Sequence, residues 1–198
     1  MSDVVAILLA AGKSRRMGQL KALLPWRGVS LLEHQVAALK AGGADRVIVV
    51  VGHQADRLRP LLADLEYVFC VFNPDYLAGK TTSIKAGLQG LQEDRPHTLL
   101  MLNVDQPRSA ESVKLLLEAH RWGSALLTIP TFKGKGGHPI IIDTSLIDEI
   151  LVINEETQGM KAVMQRHTDQ TRRVEVPVTE VLWDLNTPEQ YQAALEDH

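Results

Sequence analysis

The stretch Leu9-Ala-Ala-Gly-Lys-Ser-Arg-Arg-Met-Gly-Gln-Leu-Lys21, entered directly from the apolar run Val4–Leu9, decides how the chain is read. A run that is apolar at every position suits a strand buried on both faces of a mostly parallel sheet. In open α/β sheets ligands collect where such strands end. The small residues at 10–12 let backbone N–H groups approach an anion without an intervening side chain. Arg16 and Lys21 then supply the charge to neutralise a triphosphate. A solvated basic turn is the alternative reading of the same residues. The loop is not a dinucleotide fingerprint, because G-x-G-x-x-G is absent. Nor is it a Walker A motif, since five residues rather than four separate Gly12 from Gly18.

Outward from this loop, the same alternation continues. Val47–Val51, Val68–Phe72, Thr98–Asn103, Ala125–Ile129, Pro139–Ile142 and Val174–Val176 read as further strands. Leu32, Val36 and Leu39 form a helical stripe behind a capping box of Ser30 and Glu33. Ile84/Leu88/Leu91 and Val113/Leu116/Leu117/His120 repeat the helical period, and Thr187-Pro188-Glu189-Gln190 opens a last helix. Strand–helix alternation of this kind predicts an α/β fold with a mostly parallel sheet, and 198 residues without an internal repeat or linker predict one domain over 1–198. The Gly/Lys-rich turn at 133–137 reads as a loop between two strands.

Composition narrows the function classes. The hydrophobic fraction of 45% and charged fraction of 23% are ordinary globular values. A net charge of −3 argues against bulk binding to nucleic acid or membrane surfaces. The charge is uneven, however: Lys13, Arg15, Arg16 and Lys21 lie within 13–21 with no acid among them. The single cysteine, Cys70, excludes an intramolecular disulfide, and its apolar neighbours predict a buried small hydrophobe. No apolar run reaches the ~18 residues of a membrane span. The run beginning at Val4 follows Asp3 rather than a basic stretch, which argues against a signal peptide and for a cytoplasmic protein.

Further candidates lie at the other strand ends. Gly79-Lys80-Thr81 follows a strand and opens a helix, as a P-loop would, but the glycine needed five positions earlier is Pro74. The helix start, with Lys80, Thr82 and Ser83, remains suited to part of an anionic substrate. Asp105, closing the strand that ends in Asn103-Val-Asp-Gln-Pro107, is placed either to hold Mg²⁺ or to cap an Asx turn. Asn186 reads either as a second metal ligand or as a neighbour of the cap Thr187. His138, between Gly137 and Pro139, reads as structural or as substrate-facing, and His53 is given no role.

Taken together, these residues resemble the MobA-like nucleotidyltransferase family, in particular its molybdenum cofactor cytidylyltransferase branch. The opening loop is similar to the family pattern LAAGxSxRMGxxK. Val51-Gly-His53, Gly79-x-x-x-Ser83 with Gly87, Asp105-Gln-Pro107, Gly137-His-Pro139 and Asn186-Thr-Pro-Glu189 follow in family order, so the likeness runs from residue 4 to about 195. The resemblance implies a Rossmann-like three-layer α/β/α fold of the nucleotide-diphospho-sugar transferase type. It implies Mg²⁺-dependent (or Mn²⁺-dependent) transfer of a nucleotide from an NTP to a phosphorylated acceptor, molybdopterin, with release of pyrophosphate. Leu9, Ala10, Ala11, Gly12, Arg16, Lys21, Gly79 and Ser83 would bind the nucleotide, with Arg16, Lys21 and Asp105 catalytic. Lys80, Thr82 and His138 would meet the acceptor, and Asp105 and Asn186 would hold the metal. Relatives mostly carry Asp where Asn186 stands. Ala10-Ala11 matches the cytidylyl branch, where the guanylyl branch reads Ala-Gly-Gly after the leucine, so CTP is the expected donor. Lys80 and Arg108 stand where relatives are more often uncharged, and either is a candidate for tuning the acceptor. A molybdoenzyme is the implied transient partner. The rival classes are a guanylyltransferase of the same cofactor, a sugar- or polyol-phosphate nucleotidyltransferase, a P-loop ATPase and a non-catalytic cofactor-delivery protein.

Overall fold

The computed structural model describes residues 3–92 and 96–197, apart from the side chain of Arg15, so that member of the basic loop lies outside the described residues. The elements in chain order are β1 (Val4–Ala10), β2 (Pro25–Trp26), β3 (Val29–Ser30), α1 (Leu31–Ala41), β4 (Arg46–Val51), α2 (Ala55–Leu58), β5 (Val68–Phe72), α3 (Lys80–Gln89), β6 (Thr98–Asn103), α4 (Ala110–Arg121), β7 (Leu127–Phe132), β8 (Lys135–Gly136), β9 (Ile140–Asp143), α5 (Ile147–Leu151), α6 (Met160–Arg166), β10 (Thr171–Glu175) and α7 (Pro188–Glu196). The main sheet runs β10-β7-β9-β6-β1-β4-β5, with β8 paired to β7. β1, β4, β5 and β6 are mutually parallel, as are β7 and β10, while β9 is antiparallel to both β6 and β7.

β1 sits in the middle of the sheet, and all seven of its residues are buried. Its alternation feeds two cores. Val4, Ala6 and Leu8 face Leu32, Val36 and Leu39 of α1 and Val113, Leu116 and Leu117 of α4. Val5, Ile7 and Leu9 face Ile84 and Leu88 of α3, Ile147 and Ile150 of α5, and Val163 of α6. Helices therefore cover both faces, giving the three layers expected. At ~1.5–3 kcal/mol for each large apolar side chain fully buried, the two cores hold the central strand firmly. Its carboxyl end, where the basic loop begins, is correspondingly well anchored. Among the described residues no helix is long and apolar enough to cross a membrane.

Local signals in the sequence match their elements closely. Both capping boxes form, Ser30 with Glu33 at α1 and Thr187 with Gln190 at α7, the latter with its proline in the first turn. The turn at 133–137 folds back as a hairpin between β7 and β8, with Lys133 and Gly134 at positive φ. Boundaries move elsewhere: the strands expected at 125–129, 139–142 and 174–176 are 127–132, 140–143 and 171–175.

Two expectations fail at the sheet edge. β5 is not buried on both faces, since it ends the sheet and exposes Phe69 and Phe72. Cys70 on the same strand is exposed rather than buried. The physical reason is that an apolar run does not distinguish a central strand from an edge strand. Here the exposed rings are covered in part by guanidinium groups, Arg46 over Phe69 at 4.4 Å and Arg59 over Phe72 at 5.5 Å.

A third cluster ties the ends of the chain together. Trp26 and Leu24, just past the basic loop, pack with Met17 of that loop and with Leu185, Tyr191 and Ala194 around α7. Trp183 meets Trp26 edge-on, and the Tyr191 hydroxyl donates to the Pro25 carbonyl. This packing carries residues 183–186 onto the loop after β1.

Candidate active site

Because β1, β4, β5 and β6 are parallel, the segments following them all leave at one edge of the sheet. β9 is antiparallel to β6, so its beginning, just after His138-Pro139, reaches the same edge; Ile140 pairs with Met101 there. The loop after β1, the turn after β6, the start of α3, His138 and residues 183–186 therefore converge. A cavity of about 380 Å³ opens among them. Leu9, Ala10, Ala11, Gly12 and Lys21 line one side of it; Gly79, Lys80 and Ser83 line another. Asp105, Asp184 and Asn186 complete the wall.

The loop after β1 is shaped by its own contacts. Ser14 takes a positive φ of 52°, and its carbonyl and hydroxyl accept from the Met17 and Lys21 amides respectively. This turns Lys21 inward until its side chain is only 10% exposed. Its Nζ lies 2.7 Å from Asp105 Oδ2 and donates also to Asn186 Oδ1 at 2.9 Å. Arg16, on the exposed side, donates to the same Asn186 oxygen at 2.8 Å. Four residues drawn from three distant parts of the sequence thus share one knot of charge.

The oxygen pair of Asp105 and Asn186 suits a divalent cation chemically. Mg²⁺ takes hard oxygen donors and commonly uses one or two protein carboxylates, leaving its other positions to waters and substrate phosphates. A carboxylate and an amide oxygen already aimed at one cationic nitrogen can serve as such a partial shell. Among the described residues no three His, Cys, Asp or Glu side chains gather into a closed cage.

A second cavity of about 300 Å³ adjoins the first, and Lys80 and Asn103 line both. His138, Glu155 and Gln158 give it polar groups, while Met101, Met160 and Met164 give it soft apolar walls. Burial lowers the pKa of Lys80, opposed by the charges of Asp105, Asp184 and Glu155 around it. Burial, with the cations Arg108 and Lys80 nearby, pushes the His138 imidazole down to about 4, so it is neutral at physiological pH. Glu155 accepts from the Thr81 amide at 2.7 Å, closing the first turn of α3. Gly79 permits this approach: it adopts φ +124°, and a Cβ there would stand 2.4 Å from the Glu155 carboxylate.

Two expected substrate contacts lie elsewhere. Thr82 lines neither cavity; its hydroxyl donates toward the Asp75 and Gly79 carbonyls and accepts from the Asn73 amide. Arg108 does not line the second cavity. It is 1% exposed beneath the site, where it donates to the carbonyls of Pro107 (2.6 Å), His138 (2.7 Å), Val181 (2.9 Å) and Trp183 (3.2 Å). Burial lowers its pKa to about 9, against the opposing charges of Glu180, Asp184 and Asp105. Glu180, also buried, accepts from the amide and hydroxyl of Ser109. Arg108 thereby binds together the backbones that carry Asp105, His138 and Asp184. An isolated arginine in a turn gives no hint of this in sequence, because its partners are all carbonyls of distant segments. Asp184 and Glu155 were missed for the same reason: each is one acid among many until the fold brings it to the cavity.

Comparison with known proteins gives the site its context. Residues 6–171 match the family described as the MobA-like NTP transferase domain. The chain is 29% identical to molybdenum cofactor cytidylyltransferase of Escherichia coli K12, over 99% of this chain and 97% of that one. It is 30% identical to a probable molybdenum cofactor guanylyltransferase of Nostoc sp. PCC 7120, over 96% and 89%. It is 36% identical to nicotine blue oxidoreductase of Paenarthrobacter nicotinovorans, over 72% of each. Among solved structures, Rv0371c of Mycobacterium tuberculosis H37Rv superposes with a TM-score of 0.83 at 22% identity, covering 98% of both chains. The same protein in complex with manganese superposes with a TM-score of 0.77 at 21% identity, again over 98% of both. Most of the sheet, the loop after β1 and the acid after β6 lie within the matched residues, and the chain belongs to the MobA-like NTP transferase family of nucleotidyltransferases.

Proposed function

We propose that the chain, acting as one nucleotidyltransferase domain over residues 1–198, moves CMP from CTP onto the terminal phosphate of molybdopterin and releases pyrophosphate. The observation that carries this reading is the convergence of Asp105 and Asn186 beside the small-residue loop, with a second cavity joined to the first at Lys80 and Asn103. One cavity suits a nucleotide and the other suits a phosphorylated acceptor, and the junction is where the two phosphates meet.

The acceptor oxygen attacks the α-phosphorus of CTP; the bond from that phosphorus to the β-phosphate oxygen breaks, and pyrophosphate leaves with the electron pair. A phosphate monoester is already ionised at neutral pH, so no general base is needed, and positioning and charge stabilisation do the work. Gly12 and its neighbours let the backbone approach the triphosphate. Arg16 and Lys21 hold the phosphates that depart. Lys80 draws the acceptor phosphate to the junction, and neutral His138 lines the acceptor side without adding charge. Asp105 and Asn186 would hold Mg²⁺ or Mn²⁺, which when bound neutralises charge on the reacting phosphates.

The preference for CTP rests on Ala10 and Ala11, which are 3% and 5% exposed. The Ala11 methyl lies 3.0 Å from where a Gly52 side chain would begin, so this wall has little room to recede before a larger purine. The test is pyrophosphate release with each of four NTPs, Mg²⁺ or Mn²⁺, and molybdopterin. CTP is expected to support the fastest release. Equal or faster release with GTP would overturn the cytidylyl assignment, and turnover with a sugar phosphate but not molybdopterin would overturn the acceptor.

A further inference from the structure

The loop cations stand on the same two oxygens that suit the metal. Lys21 Nζ is within 2.7 Å of Asp105 Oδ2 and 2.9 Å of Asn186 Oδ1, and Arg16 adds a third contact at 2.8 Å to the Asn186 oxygen. The Lys21 side chain is 10% exposed and that of Asp105 20%, so the pair is sheltered from the water that screens surface charges. A divalent ion would draw on the same hard oxygens that Lys21 Nζ now engages, Asp105 Oδ2 and Asn186 Oδ1, and two cations brought to one pair of oxygens repel. Lys21 and a metal therefore compete for them.

We infer that Lys21 gates the metal site: it closes Asp105 and Asn186 against a bare divalent ion and opens them when a triphosphate draws its ammonium away. The inference rests on the assignment of Asp105 and Asn186 as metal ligands. Its physical content is a linkage. A polyphosphate offers Lys21 stronger partners than one carboxylate and one amide, so its arrival removes a competitor of the metal. By reciprocity, the metal raises the affinity for the nucleotide by the same factor. When pyrophosphate leaves, the ammonium is free to return to Asp105 and Asn186, and the pair again disfavours a bare ion.

The experiment is a Mn²⁺ titration of the whole chain without nucleotide or acceptor, followed through the electron paramagnetic resonance signal of free Mn²⁺. Wild type is compared with Lys21→Met, Lys21→Gln and the double variant Lys21→Met/Asp105→Asn, each checked for its fold by circular dichroism. Removing the ammonium is expected to tighten Mn²⁺ binding by at least ~10-fold, within the usual range of coupling between sites. The double variant is expected to lose that gain. Lys21→Gln reports the same loss of charge with a polar side chain, so the comparison survives if the methionine variant fails to fold. Equal affinity in wild type and the single variants overturns the gate and leaves the metal assignment standing. Tight binding that persists in the double variant overturns it as well, since the ion then uses other oxygens. Absence of binding in every protein overturns both the gate and the assignment of Asp105 and Asn186.

Discussion

Replacing Arg108 by methionine should cost the fold far more than a surface arginine would. The guanidinium is 1% exposed and donates four hydrogen bonds to carbonyls of Pro107, His138, Val181 and Trp183. Methionine fills much of the volume but supplies no donor, so four carbonyls each lose a partner and the buried Glu180 loses its nearby cation. Hydrogen bonds to a charged group are worth ~1.5–3 kcal/mol each, but they share one side chain and do not add. Breaking a buried charge interaction by removing one partner costs ~3–5 kcal/mol, and that is the expected loss here. For a protein of this length each kcal/mol shifts the melting temperature by ~2–4 °C, so the variant should melt ~6–20 °C lower. Urea unfolding followed by tryptophan fluorescence would measure it, since Trp183 and Trp26 stand together next to the affected backbone. Arg108→Met/Glu180→Gln, which also neutralises the buried carboxylate that faced this cation, should recover at least ~1 kcal/mol of the loss. A single variant within ~1 kcal/mol of wild type, or a double variant no better than the single, would refute the view that Arg108 is a charged bracket under the site.

Asp105→Ala should reduce metal-dependent pyrophosphate release by ~10²–10⁴-fold with the fold retained by circular dichroism, because the lost group faces a cavity; near-normal turnover would remove Asp105 from the site. Lys21→Ala should weaken NTP binding by ~10-fold or more, and unchanged affinity by calorimetry would take it away from the phosphates. His138 has a folded pKa of about 4 against an ordinary 6.5, so the unfolded chain binds its proton first as pH falls. The stability this contributes is complete above pH ~6.5 and is lost progressively down to pH ~4, by about 3 kcal/mol in all. The difference in urea stability between wild type and His138→Gln should therefore change across that window, and a flat difference would contradict the burial of a neutral imidazole. Gly137→Ala places a methyl 2.1 Å from the Val181 carbonyl oxygen, and backbone on both sides must move. It should cost ~1–3 kcal/mol and lower turnover at the same time, measured by melting and by pyrophosphate release.

Much of the architecture was legible because it depends on local periodicity. The unbroken apolar run of β1, the capping boxes at Ser30 and Thr187, and the small-residue loop are each set within a few residues, and each stands where it was expected. Lys21, Asp105 and Asn186 were readable as candidates from residue type and position after a strand. Their mutual contact was not, since sequence separations of 84 and 165 residues carry no local trace. The burial of Arg108 and the exposure of Cys70 failed for related reasons. A charged residue reads as surface until four carbonyls are brought to it, and an apolar strand reads as central until the sheet ends there. Thr82 shows the limit at finer scale: a hydroxyl at a helix start can face a ligand or its own turn, and here it serves the turn.

The packing of Trp26, Leu185 and Tyr191 has a consequence for when the protein becomes competent during its synthesis. The lysine that meets Asn186 precedes it by 165 residues, and the aromatic cluster that seats residues 183–186 needs both α7 and the segment after the basic loop. At ~5–20 residues per second a ribosome takes roughly 8–33 s to make the intervening chain. β1, β4 and β6 can pair in that interval, and Lys21 can already reach Asp105. For much of its time on the ribosome the nascent protein therefore has a sheet and an ion pair but lacks the second oxygen donor. The knot of Lys21, Asp105 and Asn186 is therefore completed only when residues 183–194 dock, and a product stalled before them would hold the sheet without that knot.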